Sequence, residues 1–335
     1  MSSTVSVRAL AVRGLLVLAV VGGGLWVATQ GIAGAKPGSI EDVIEGVTPL
    51  RLLVLAAVWL AGLCVYSFVL SAAMPGLGPR RGLLLNLSGS AVANVIPMGG
   101  AVATALNWRM LRRWGHSNAA FVSFTVLTNA LDVLAKLALP VVAAATLLLL
   151  SVQVPEVLEI ASAVGGACIV AFLVVHLWSV HGPAPDGGTP TAGRRKLVAD
   201  VQARLRESGR RIDTVLRRRW PVLLGGSVGY VAAQVLLLGL SLRAVGLAVP
   251  LTTLLVAAAI ERLGTIVPIT PGGAGVAEIG TIAWLVASGL DPTAAVAGVL
   301  LYRVFLVAME IPVGGVLLAG WAWLQRRTRL SGAVS

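Results

Sequence analysis

The sequence predicts an all-α, polytopic integral membrane protein with about six full spans plus two re-entrant hairpins, arranged as an inverted repeat. Three observations carry that prediction. Of 335 residues, 57% are hydrophobic and only 12% are charged, where a soluble domain carries about 25% charged residues. No single globular core absorbs so much apolar side chain. Six apolar runs reach the length of about 20 residues that one bilayer crossing needs, and two further apolar regions are broken by Pro and Gly.

In the first run, 11–30, the apolar stretch from Leu15 to Thr29 follows Arg8 and Arg13. Ala33-Gly34-Ala35 after it resembles a cleavage site, but retention as a first span is the preferred reading because a polytopic chain can begin insertion with an uncleaved helix. The second run, 50–74, leads to Arg80-Arg81, and the interrupted region 83–108 leads to Arg109, Arg112 and Arg113. The run 118–150 ends near Glu156 and Glu159, and 158–181 returns to a loop at 182–219 dense in arginine. Within that loop, 182–193 is rich in Pro and Gly, whereas 194–219 spaces Leu197, Val201, Leu205, Ile212 and Leu216 near a helical repeat. Such a segment either lies on an anionic leaflet or is a solvated linker that enforces topology. The run 221–243, the interrupted region 251–289 and the run 293–323 complete the chain. The runs at 118–150 and 293–323 exceed one crossing and are expected to tilt or protrude.

Positive charge orients these elements. If the interrupted regions turn back without crossing, most of the 26 Lys and Arg residues fall on one side, the cytoplasm, together with both termini. Making either region a full span puts an arginine block on the wrong side. The expected organisation is a single membrane domain over 1–335. It comprises a first span at 11–30, a first repeat unit with an extra span at 50–181, a basic cytoplasmic loop at 182–219 and a second unit at 220–325. The location this implies is a bacterial-type inner membrane.

The +12 net charge does not signal nucleic acid, because it is confined to short blocks and aromatic residues are 5%; anionic headgroups are the better partner. Cys64 and Cys168 lie in apolar runs without ligand spacing and read as small buried residues. His116, His176 and His181 form no metal-binding pattern, and no nucleophile elbow or phosphate loop occurs. No enzyme activity, cofactor or metal site is expected.

The two broken regions resemble each other. NVIPMGGAVATALNW (94–108) and TIVPITPGGAGVAEIG (265–280) both place Pro and paired Gly inside apolar sequence, each after one span and before a long one with ionisable residues. Opposed units of this kind place a binding site at the breaks, near the bilayer midplane, where the freed backbone must face protein or water. Seven ionisable residues fall in apolar regions: Asp132, Lys136, Glu261, Arg262, Glu278, Arg303 and Glu310. Each unpaired charge costs at least ~2.5–3.5 kcal/mol at the bilayer centre, so they are expected to pair, line a cavity or carry protons. Asp132 and Lys136 share a helix face. Glu310, two turns after Arg303, is expected on the same face as that arginine, with room for a third group between them. An arginine beside a glycine-rich tip suits a phosphate, and Asn94, Asn107 and Asn129 add polar groups near the first tip.

Pro271-Gly272-Gly273-Ala274-Gly275 with Glu278, then Tyr302-Arg303 and Pro312 with Gly314-Gly315, resemble the flippase-like membrane domain of lysylphosphatidylglycerol synthases. Asn94, Pro97, Gly99-Gly100 and Asp132 resemble the same family more loosely. The resemblance covers about 50–325 and implies an inner-membrane protein that moves a lipid between leaflets. In the synthases this domain is joined to a soluble aminoacyl-transferase domain; the sequence to Ser335 holds no such domain, so only the translocation half is expected to carry over. The candidate substrate-binding residues are therefore Asn94, Pro97, Gly99, Gly100, Arg262, Pro271, Gly272, Gly273, Gly275, Glu278 and Arg303. Asp132, Lys136, Glu261 and Glu310 are expected to balance charge or carry protons. The expected partners are membrane lipids and a possible lipid-modifying enzyme. Two other function classes fit the sequence: an ion-coupled small-molecule transporter, and a non-transporting scaffold for a lipid-modifying enzyme. The sequence is silent on oligomeric state.

Overall fold

Lipid offers no hydrogen-bond partner to the backbone, so an apolar chain folds into helices that satisfy their own N–H and C=O groups. The computed structural model describes residues 37–95, 99–181, 194–266 and 275–331, and these form helices and turns without a strand. The run 11–30 and the 182–193 segment lie outside the described residues.

A short helix α1 (Pro37–Glu45) precedes α2 (Pro49–Ala73), which opens with proline at its first position, where the missing N–H is harmless. Helices α3 (Pro79–Val95) and α4 (Gly99–Arg113) pack on each other as a hairpin. Next come α5 (Asn118–Leu149), capped by the Ser117 side chain accepting from Ala120 N, and α6 (Glu156–His181). Helix α7 (Arg194–Ala244) is followed by α8 (Leu251–Gly264) and α9 (Val276–Ala287), a second packed pair. Asp291 accepts from Ala294 N to cap α10 (Pro292–Arg303), which passes through a π-helical turn (Val304–Ala308) into α11 (Glu310–Ser331).

Among the described residues, five helical segments are long and apolar enough to cross a membrane: Pro49–Ala73, Asn118–Leu149, Glu156–Val175, Glu207–Ala244 and Pro292–Gln325. They coincide with five of the six runs read from sequence. The members of the two interrupted regions are shorter. Helices α3 and α4 have 17 and 15 residues, and α8 and α9 have 14 and 12, all below the ~20 that a crossing needs.

In each pair the two outer ends lie together. The Arg81 guanidinium is 5.3 Å above the Trp114 ring, which joins the start of α3 to the end of α4. Trp284 Nε1 donates to Thr253 O at 3.1 Å, which joins the end of α9 to the start of α8.

The sequence places a basic loop before a separate fifth span. The structure instead runs one 51-residue helix through both, with Pro221 inside it. From Ile212 onward its apolar face packs with Met74, Met110, Leu111 and Phe124 at the arginine-rich end of the bundle. Ile212 and Leu216 of the basic segment thus meet protein. A second, larger core lies at the other end, around Leu63, Leu147, Leu242, Ala257, Leu285 and Ala295. Helix α10 threads this core with Ala294, Ala295, Ala297 and Gly298 buried. A Cβ on Gly298 would come within 2.7 Å of Leu242 Cδ2, so glycine sets the α7–α10 approach. Helix α6 is peripheral, only 11% of its apolar window being buried, as suits a helix turned to lipid.

Candidate functional site

Against the larger apolar core, which includes Tyr302 and Ala258, lies a cluster of charged side chains. Glu261, Arg262, Glu278, Arg303 and Glu310 are all buried. They come from four helices. Glu261 and Arg262 occupy the last turns of α8, Glu278 the first turn of α9, and Arg303 and Glu310 flank the π turn.

Helix α9 begins with Gly275 at φ +93°, a conformation open chiefly to glycine. Its N–H donates to Glu278 Oε2 at 2.7 Å, so the carboxylate satisfies an orphan donor at the positive end of the helix. The other oxygen, Oε1, accepts from Arg303 Nε at 2.5 Å. Glu278 therefore ties the tip of the second hairpin to the end of α10. Arg303 Nη1 also donates to Glu261 Oε1 at 3.4 Å.

Arg262 is engaged on every side. Its Nε and Nη2 form a two-point pair with Glu261, the Nη2 contact at 2.8 Å. Nη2 also donates to Tyr302 Oη at 2.8 Å, and Nη1 donates to Gln234 Oε1 at 2.7 Å. These bonds link α7, α8 and α10. The pairing is what burial demands, since a guanidinium or carboxylate stripped of water is tolerated only with its hydrogen bonds supplied.

Glu310 faces a different partner. Its carboxyl meets Ser90 and Asn94 of α3, so α11 contacts the first hairpin where α10 contacts the second. The sequence periodicity places Arg303 and Glu310 on one face; in the structure Arg262 is within electrostatic reach of Glu310 and shares Glu261 with Arg303, while a π turn offsets the two residues. The π turn, closed by Met309 N donating to Val304 O at 2.8 Å, takes up one extra residue and turns the following face by about 100°.

Asp132 and Lys136 form the expected i,i+4 pair at 2.8 Å. Lys136 is within electrostatic reach of Glu261, and Asp132 of Tyr66 and Tyr230. Those two tyrosines stack with centroids 4.6 Å apart, linking α2 to α7. Polar groups thus continue from the arginine cluster through Gln234 and Tyr230 to Asp132.

At the first hairpin Gly99 is buried, and a Cβ there would lie 2.4 Å from Ala93 O; Gly100 is exposed and its carbonyl accepts from Thr104 Oγ1 at 2.8 Å. Asn107 packs near Gly89, and Asn129 is exposed. Pro97, Pro271, Gly272 and Gly273 lie outside the described residues. Gln234, Tyr230, Tyr302 and Ser90 join the site without having been singled out as site residues from sequence. The signal was present for Gln234, an amide within an apolar span, and for Tyr302 beside Arg303. Among the described residues no group of three or more His, Cys, Asp or Glu is placed to hold a metal.

A family model described as "Lysylphosphatidylglycerol synthase TM region" matches residues 14–314. A comparison with curated proteins gives no match.

Proposed function

The chain belongs to the lysylphosphatidylglycerol synthase transmembrane family, whose members are membrane proteins of lipid handling, and from that premise we propose that it is a flippase-like lipid translocase. Its substrate is a charged phospholipid, anionic or aminoacylated, or a related polar lipid. It moves between the leaflets of a bacterial-type inner membrane in which both termini are cytoplasmic. The chain performs no covalent chemistry, and lipids are its partners.

The observation that carries this reading is the buried ionic cluster joining the tip of one helical hairpin to the π turn, with Glu310 reaching the other hairpin. Charges buried at membrane depth are expensive and mark substrate or ion paths. Two short hairpins, each with both ends together, support opposed re-entrant elements.

In the conformation described, Glu261 and Glu278 occupy the two arginines, which corresponds to a closed state. A lipid phosphate is the chemical equivalent of either carboxylate. Withdrawal of the hairpin tip removes Glu278 from Arg303 and frees the Gly275 N–H, leaving a guanidinium fork and a backbone donor for phosphate oxygens. Glu261, Glu310 and the Asp132–Lys136 pair keep the net charge near neutral during the exchange. Acyl chains remain in the bilayer, so only the headgroup needs the polar path.

Reconstituted vesicles containing a headgroup-labelled phosphatidylglycerol and an impermeant quencher measure the movement. Arg303→Gln and Glu278→Gln are each expected to slow it at least tenfold. Unchanged rates in both variants would defeat the assignment. Gradient-driven uptake of a water-soluble solute, without lipid movement, would favour an ion-coupled transporter instead.

A further inference from the structure

The arginine-rich end carries a second basic site that the translocation path does not use. Helices α4 and α11 both pack on α3, and between them at this end is an open crevice of about 350 Å³, its lining including Leu106, Arg109, Arg113, Leu318, Trp321 and Gln325. Arg113 is held in place: Nη1 donates to Gln325 Oε1 at 2.9 Å, and its guanidinium lies 5.9 Å over the Trp321 ring. Arg109, one turn earlier on the same face, is exposed. Among the described residues no carboxylate lines the crevice. Two like charges at i,i+4 repel, and here the balancing anion has to come from outside.

The surroundings say which anion. Trp108 on α4 and Trp323 on α11 are 44% and 52% exposed, the pattern of an aromatic belt at headgroup depth. Toward the tip, the crevice face of α4 continues through Leu106 to Val102, itself 44% exposed. Charge at one end and a greasy track at the other match an amphiphile rather than a soluble ion.

We propose that this crevice binds an anionic phospholipid of the adjacent leaflet, with Arg109 and Arg113 on the phosphate and an acyl chain along Leu106 and Val102. The site lies roughly 20 Å along α11 from Glu310, and the inference does not depend on whether the chain moves lipid.

The test uses the full chain in phosphatidylcholine nanodiscs titrated with labelled phosphatidylglycerol. Arg109→Gln is expected to weaken binding about fivefold, the scale of one basic residue at an anionic surface, and Arg109→Gln with Arg113→Gln more than tenfold. Arg109→Lys, which keeps the charge, and Arg80→Gln, outside the crevice, should stay within twofold of the parent. Because Arg113 also braces Gln325 and Trp321, the Arg109 variants decide the matter if the double variant fails to fold. Equal binding by the parent and Arg109→Gln would overturn the proposal. So would displacement of the lipid by inorganic phosphate at comparable concentration, which would make this a soluble-anion site. Arg303→Gln should keep phosphatidylglycerol binding even where it loses lipid movement, so failure of the translocation reading and failure of this one are told apart.

Discussion

Glu278 is the residue on which the second hairpin turns, since one carboxylate serves both the Gly275 N–H and the Arg303 guanidinium. Removing one partner of a buried pair costs about 3–5 kcal/mol, because the other charge is left without water or counter-charge. Glu278→Gln and Arg303→Gln should each lower the unfolding temperature sharply. Combined, they should cost less than their sum by more than ~1 kcal/mol, measurable as a thermal double-mutant cycle in one detergent. Strict additivity would mean that the pair is not coupled.

A second residue-scale test lies outside the bilayer, in the turn after α4. Burial first, and the Arg81 charge second, hold the His116 imidazole below its ordinary value. Its NMR titration should therefore fall below about pH 6.5, and Arg81→Gln should raise the midpoint only part of the way. Since the folded chain resists this proton, His116 adds stability that declines as pH falls through that window.

At this scale the sequence was partly legible. The ionisable residues announced themselves by their cost in an apolar run. Tyr230 did not, because a lone phenol is cheap enough to pass as an ordinary span residue. The offset that the π turn puts between Arg303 and Glu310 was unreadable, since a 3.6-residue period cannot register such a turn.

Among the elements, glycine decides how closely α11 approaches the first hairpin. A Cβ on Gly314 would meet Leu87 O at 2.0 Å, whereas one on Gly315 would meet nothing. Gly314→Ala should thus destabilise by about 1–3 kcal/mol, the cost of forcing volume into a packed contact. Gly315→Ala should stay within about 0.5 kcal/mol. Thermal melts of the two neighbours compare them directly; equal shifts would contradict the α3–α11 packing. Spans such as 50–74 and 118–150 were legible because hydropathy and length suffice to define them. The fusion of 194–219 with the fifth span into one helix was not, because Pro221 and the arginine block mimic a boundary. Packing of Ile212 and, partly, Leu216 against the bundle end holds the helix from Ile212 onward.

For the molecule as a whole, the arrangement of the hairpins decides how many times the chain crosses. Arg81 over Trp114 brings the turns before α3 and after α4 together, and Trp284 on Thr253 does the same for the turns flanking α8 and α9. If both pairs are re-entrant, each has its two flanking turns on one face of the membrane, and the two pairs open to opposite faces. Cysteines introduced singly at Gly78, Gly115, Gly246 and Gly289, in a background where Cys64 and Cys168 are serine, read this out with an impermeant maleimide. The turns at Gly246 and Gly289 should label from outside intact cells, and those at Gly78 and Gly115 only after the membrane is opened. A full crossing by either pair would split its two positions between the faces. It would also strand the basic block at 109–113 or the turn at Gly289 on the side opposite to the one that charge asymmetry assigns. Short helices of 12 to 17 residues make that split physically costly, because a crossing of that length leaves backbone or charge in hydrocarbon.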